Sequence, residues 1–170
     1  HAPRSWHLQK ELAGSVALGD IGPHAIDLTQ FVTGQSVERV SGTIDTIIHE
    51  RPYADGSGAG AVTVDDIAIF TGRLSGGALA SIDASRFAPG RKNALAIEVS
   101  GELGPLAWNF ADLNSLQYYD RTADSRTPGF SQLLLPEPAH PYASACWPAR
   151  HLPCPAPASP PPVPPLLSST

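Results

Sequence analysis

Three residues near the start of the chain, Asp20, His24 and Asp27, have the types and spacing of a proton-transfer site. They lie within Gly19-Asp20-Ile21-Gly22-Pro23-His24-Ala25-Ile26-Asp27-Leu28. Separations of four and then three residues bring side chains to one face of an α-helix. A carboxylate beside an imidazole orients the ring and raises its affinity for a proton, which suits the pair to general acid/base work. Asp20 also has a structural explanation, as an anion that caps the start of a helix. Asp20 and His24 have metal-ligand spacing too, but no adjacent metal-activating Glu accompanies them, and proton transfer is the simpler use.

Further polar groups stand outside this segment. Asp65-Asp66 interrupts an apolar run, which implies that one of the two faces the core or a cleft, with capping at a sheet edge as the alternative. Between Ser85 and Asn93 the cations Arg86, Arg91 and Lys92 and the amide of Asn93 surround a turn. Such donors suit the hydroxyls or carboxylates of a small polar ligand, and an exposed basic turn is the alternative. Gly56-Ser57-Gly58-Ala59-Gly60-Ala61 matches the letters of a dinucleotide fingerprint, but a strand pattern follows it where a helix N-terminus would have to receive the pyrophosphate. His140, Cys146, His151 and Cys154 are zinc-ligand types whose spacing fits no common finger or ribbon, so no metal is assigned.

The element that must position Asp20 and His24 is a helix. Apolar residues at Leu18, Ile21, Ala25, Leu28 and Val32 follow a helical period over Ala17 to Val32, and Gly34 supplies a stop. Pro23 confines the helix start to its own neighbourhood, where its missing amide costs nothing. Beyond Gly34 the pattern predicts strands over Val37 to Glu50, Ala61 to Leu74, Ala78 to Arg86, Asn93 to Ser100 and Pro105 to Phe110, with a further one beginning at Leu116 to Tyr119. The loop Asp55 to Gly60 and the turn Gly76-Gly77 separate the first three. Strands in succession without helices between them predict an α+β fold, an open-faced and mostly antiparallel β-sheet with a helix packed on one face.

The 170 residues carry a formal charge of −5 and 42% hydrophobic residues, enough apolar material for a core and no basic stripe for nucleic acid. No apolar run is long enough to span a bilayer and no signal segment opens the chain, so a soluble cytoplasmic protein is expected. Methionine is absent, so the sequence is expected to be a fragment that begins at His1 by truncation, processing or an incomplete gene model. Residues 1–135 are expected to form the folded domain. Residues 136–170 form a proline-rich tail, with half of the 18 prolines between Pro148 and Pro165, expected to be disordered or polyproline II. A spacer, an SH3-type ligand and sequence out of frame from about residues 148–155 are the alternatives for it.

Taken together, Ala13-Gly14-Ser15, the Gly19 to Asp27 segment, Val64-Asp65-Asp66, Ala84-Ser85-Arg86-Phe87 and Gly90-Arg91-Lys92-Asn93 resemble the C-terminal domain of the Gfo/Idh/MocA oxidoreductases, over about Trp6 to Trp147. The resemblance implies a two-domain enzyme whose other, Rossmann domain binds NAD or NADP and supplies a lysine from a Glu-Lys-Pro motif. It implies His24 as the general acid/base that takes a hydroxyl proton, Asp20 as its catalytic companion, and a sugar or polyol as the small-molecule substrate. Substrate-binding candidates are then Lys10, Asp27, Arg86, Arg91, Lys92 and Asn93. A homo-oligomer formed through an uncovered apolar sheet face is also expected. Glu-Lys-Pro and a dinucleotide domain are absent from this sequence, Val16 replaces a common glycine, and His7 follows Trp6 where arginine is frequent. On its own the piece is expected to be inactive; a stand-alone carbohydrate-binding or subunit-interaction domain and an inactive gene remnant are the alternatives.

Overall fold

The computed structural model describes residues 3–123, 126 and 128–135. A short helix α1 (Lys10–Ala13) and a π turn (Ala17–Ile21) lead into helix α2 (Gly22–Thr33). Strands follow as β1 (Val37–Asp45), β2 (Glu50–Pro52), β3 (Ala59–Ala61), β4 (Ile67–Leu74), β5 (Leu79–Ser85), β6 (Ala96–Gly101), β7 (Gly104–Asn109), β8 (Ser115–Tyr118) and β9 (Ser131–Leu134). They sort into three sheets, β1-β4-β5, β2-β3 and β6-β7-β8-β9, in an α+β fold. The chain divides into two compact units, His1–Ile97 and Glu98–Thr170. The proline-rich tail and the four zinc-type residues lie outside the described residues.

The helical period between Ala17 and Val32 produces two kinds of turn rather than one continuous α-helix. At its start the Ile21 amide reaches back five residues to the Val16 carbonyl at 3.3 Å, and the Gly22 amide reaches Ala17 in the same way. Pro23 then sits in the first turn of α2, and Gly34 ends the helix at φ +67°, its amide donating to Gln30 at 2.9 Å.

The first sheet follows from strict alternation in β4. Ala68, Phe70 and Leu74 are buried, while Ile69, Thr71 and Arg73 between them are exposed. β1 and β5 pair with β4 antiparallel, and Gly77 closes the β4–β5 hairpin at φ +89°. Ala17 of the π turn packs with Ala68 and Ala84, all three with no exposed surface, and Ile21 leans on them. Small side chains at this contact let the turn backbone lie close to the sheet.

The opposite face of that sheet is not uniformly apolar. The register puts Thr43, Ile69 and Asp83 in one row and Ser41, Thr71 and Ser81 in the next, all exposed. The apolar residues of β4 and β5 are largely spent on the helix side, so the uncovered face is mixed and mainly polar.

Two predicted strands are shorter than their β-rich sequences. Val37 to Glu50 breaks after Asp45, and Ala61 to Leu74 becomes a strand only at Ile67. Val62 and Val64 leave the strand path to pack with Leu8, Ala13 and Val16 in a second core cluster. The Thr63 amide donates to the Leu8 carbonyl and the Val62 amide to His49, which removes these groups from any β ladder. The glycine motif Gly56 to Ala61 lies in the β2–β3 hairpin, where Arg51 pairs with Gly60. A Cβ at Gly60 would meet Arg4 Cδ and Tyr53 Oη, each at 2.7 Å, so a side chain there would push both aside. In the second unit, β6, β7 and β8 correspond to predicted strands, and β9 pairs with β8 where the sequence pattern showed none.

Candidate active site

Every helical run begins with four backbone amides that lack a partner within the helix. Here those amides belong to Val16, Ala17, Leu18 and Gly19, and each is satisfied from outside the run. The Asp65 carboxylate accepts from Val16 at 3.0 Å on Oδ1 and from Leu18 at 2.6 Å on Oδ2. The Asp65 carbonyl accepts from Ala17 at 3.3 Å. Ser15 Oγ accepts from Gly19 at 3.0 Å and donates to Asp65 Oδ1 at 2.6 Å. The Asp20 amide then makes the first internal bond, to the Val16 carbonyl at 2.9 Å.

Asp65 is only 6% exposed. Burial by itself pushes its pKa up, but the Ser15 hydroxyl and the amides of Leu18 and Val16 prevail and hold the carboxyl below its ordinary value. Its neighbour Asp66, 2% exposed, holds a different segment: Oδ2 accepts from the amides of Ile47 and Ile48, both at 2.9 Å. Both members of the Asp pair are therefore buried, each anchoring chain that leads into or out of a regular element.

This leaves Asp20 without a capping duty. Asp20, His24 and Asp27 are all exposed, Asp20 in the π turn and the other two on α2. Among the described residues no side-chain hydrogen bond or ion pair engages any of the three. Asp20 and His24 stand at the head of the helix as an unspent carboxylate and imidazole, and they are not closed onto each other.

The remaining candidates are spread out. Arg86 faces Asp66 with Nε 3.8 Å from Oδ1, a long ion pair that ties its cation to a structural carboxylate. Arg91, Lys92 and Asn93 are exposed on the loop between β5 and β6, with the Arg91 amide bonded to Ala88 at 2.9 Å. Lys10 is exposed at the start of α1, its backbone amide donating to Thr63 Oγ1 at 2.8 Å. Among the described residues no side-chain hydrogen bond or ion pair joins these groups to Asp20 or His24. Ser15 is the participant that sequence reasoning passed over. Its only signal was its place beside Gly14 in the Ala13-Gly14-Ser15 motif.

The cofactor fit is negative for this stretch of chain. Gly56 to Ala61 forms a hairpin running into β3, with no helix N-terminus to receive a pyrophosphate. Among the described residues no three of His, Cys, Asp and Glu converge as a metal site.

Residues 1–107 match the GFO/IDH/MocA C-terminal domain. The chain belongs to this family. Levoglucosan dehydrogenase of Pseudarthrobacter phenanthrenivorans is 34% identical to it over 160 residues, covering 87% of this chain and 40% of that protein. An oxidoreductase domain protein from Kribbella flavida superposes with a TM-score of 0.83 at 49% identity, over 89% of this chain and 41% of that one. Levoglucosan dehydrogenase in complex with NADH and L-sorbose superposes with a TM-score of 0.80 at 36% identity, over 87% and 38% of the two chains. This member of the GFO/IDH/MocA family thus spans about two fifths of the length of the relatives it matches.

Proposed function

We propose that this chain is the substrate-side, proton-handling part of an NAD-dependent dehydrogenase acting on a hydroxyl of a sugar or polyol. The observation that carries the reading is the division of labour at the head of α2. Asp65 and Ser15 satisfy all four initial amides, so Asp20 and His24 are left exposed and unengaged. In this reading neutral His24 accepts the proton of the substrate hydroxyl as the carbonyl forms, and returns it in the reverse direction. Asp20, four residues before it, orients either the ring or the sugar. Asp27, Lys10 and the loop groups Arg91, Lys92 and Asn93 supply hydrogen bonds to substrate, with Arg86 restrained by Asp66. A nicotinamide dinucleotide, bound by a further domain, supplies the hydride acceptor. Relatives crystallised with NADH and with sugars support this choice of cofactor and substrate class. Assembly as a homo-oligomer through the uncovered sheet face belongs to the same proposal.

The test is replacement of His24 by Ala in the full-length dehydrogenase carrying this domain, with steady-state turnover on a panel of sugars and polyols. Turnover is expected to fall roughly 10²- to 10⁴-fold, the usual contribution of a general acid/base. Turnover equal to wild type would remove His24 from the mechanism.

A further inference from the structure

We infer that Asp65 and Ser15 form a positioning pair for proton transfer, setting from the sheet side the backbone turn that carries Asp20 and launches the helix bearing His24. The inference rests on the proposed roles of Asp20 and His24, and concerns residues that touch neither substrate nor cofactor.

Three observations converge. First, the Asp65 carboxylate is buried, and its three donors, Ser15 Oγ, Val16 N and Leu18 N, all come from the segment just before Asp20. A buried carboxylate with three donors is a stiff anchor, since releasing any one exposes part of a charge to an apolar environment. Second, Ser15 relays the anchor into the turn by accepting from the Gly19 amide, the residue next to Asp20. Gly19 is part of the device: a Cβ there would stand 3.1 Å from Ser15 Cβ and 3.4 Å from Oγ, so a side chain would press on this relay. Third, the turn so held is a π turn packed through Ala17 on Ala68 and Ala84, all three fully buried. Wide turns of this kind change the direction of side chains relative to an α-helix and need local support to persist. Where Asp20 points relative to His24 is therefore set by Asp65 and Ser15, not by the sequence spacing of the pair.

The variants Asp65→Asn, Ser15→Ala and Ser15→Thr separate positioning from general stability. Asn at 65 must set an NH2 group against either the Leu18 amide or the Val16 amide, donor against donor. Ser15→Ala removes the relay but keeps the carboxylate, and carries the test if Asp65→Asn does not fold. In the 170-residue chain, amide hydrogen exchange at Leu18, Asp20 and Ile21 is expected to accelerate about tenfold or more in both, in line with the loss of a charge-assisted hydrogen bond. Exchange at Phe70 and Ile82 in the sheet should stay at the wild-type rate, and Ser15→Thr should restore protection. In the full-length dehydrogenase the same two variants should lower kcat about tenfold or more while KM for the dinucleotide is unchanged, and Ser15→Thr should recover kcat. Exchange that is unchanged at the turn, or that rises uniformly through the sheet, overturns the inference. If His24→Ala lowers turnover while Asp65→Asn and Ser15→Ala keep wild-type kcat, positioning fails and the role of His24 survives. If His24→Ala leaves turnover intact, the functional reading itself has failed.

Discussion

Asp65 and Asp66 are adjacent and both buried, and each is tolerated because a different segment of chain supplies its donors. Removing the Asp66 carboxylate would leave the Ile47 and Ile48 amides without their acceptor and Arg86 without its partner. Asp66→Ala should therefore lower unfolding free energy by about 1–3 kcal/mol, measured by urea titration. Asp65 makes acid sensitivity a residue-scale property as well. Its carboxyl binds a proton less readily when folded than its ordinary value of 3.8 implies, so its stabilisation is complete above that value. That stabilisation is lost as pH falls through the lower folded value. Urea midpoints measured from pH 6 down to pH 2.5 should drop at the acid end, and Asp65→Asn should flatten that drop. An equally steep acid limb in the variant would assign the loss to other carboxylates. Asp20 and His24 were legible as candidates for proton transfer from residue type and spacing. The identity of the group that frees Asp20 from capping was not, because Asp65 lies some fifty residues away and only folding brings it to Ser15.

Among the elements, β4 was the most readable and the π turn the least. Strict alternation forces Ala68, Phe70 and Leu74 to one side, and no other assignment buries them together. The π turn left no mark in the apolar period, since Leu18 and Ile21 would serve an α-helix as well. The wide turn follows from contacts at its ends, to Asp65 before it and to Ala68 and Ala84 beneath it. The contact with the sheet is built from small residues, so volume added there should lift the turn. Ala68→Leu is expected to cost about 1–3 kcal/mol by overpacking, read as a lowered Tm. The same variant should speed amide exchange at Asp20 and Ile21 more than at α2 residues near Gly34. Likewise the two over-long strand predictions failed at Asp45 to Asp66 for a tertiary reason: Val62 and Val64 found Leu8, a partner from the start of the chain.

At the scale of the whole molecule, the chain carries two compact units, with every residue assigned to proton handling in the first. On the helix side of the three-stranded sheet Ala68, Phe70, Ile82 and Ala84 are buried, and the other face shows Ile69 among Thr43, Thr71 and Asp83, with Leu79 nearby at 75% exposure. Size-exclusion chromatography with light scattering should give a dimer or tetramer for the full-length protein, and Ile69→Asp should shift it toward smaller species. A wild-type monomer at micromolar concentration would exclude oligomerisation through this face. Composition, charge and the order of motifs determined by themselves the fold class and the family resemblance, because those depend on residue type and short-range spacing. Tertiary structure alone decided that Asp65 with Ser15 caps the run, that Asp20 and His24 stand unspent, and that Arg86 is held by Asp66. Those outcomes depend on which distant donors and acceptors come within hydrogen-bond reach, and spacing along a chain carries no record of that.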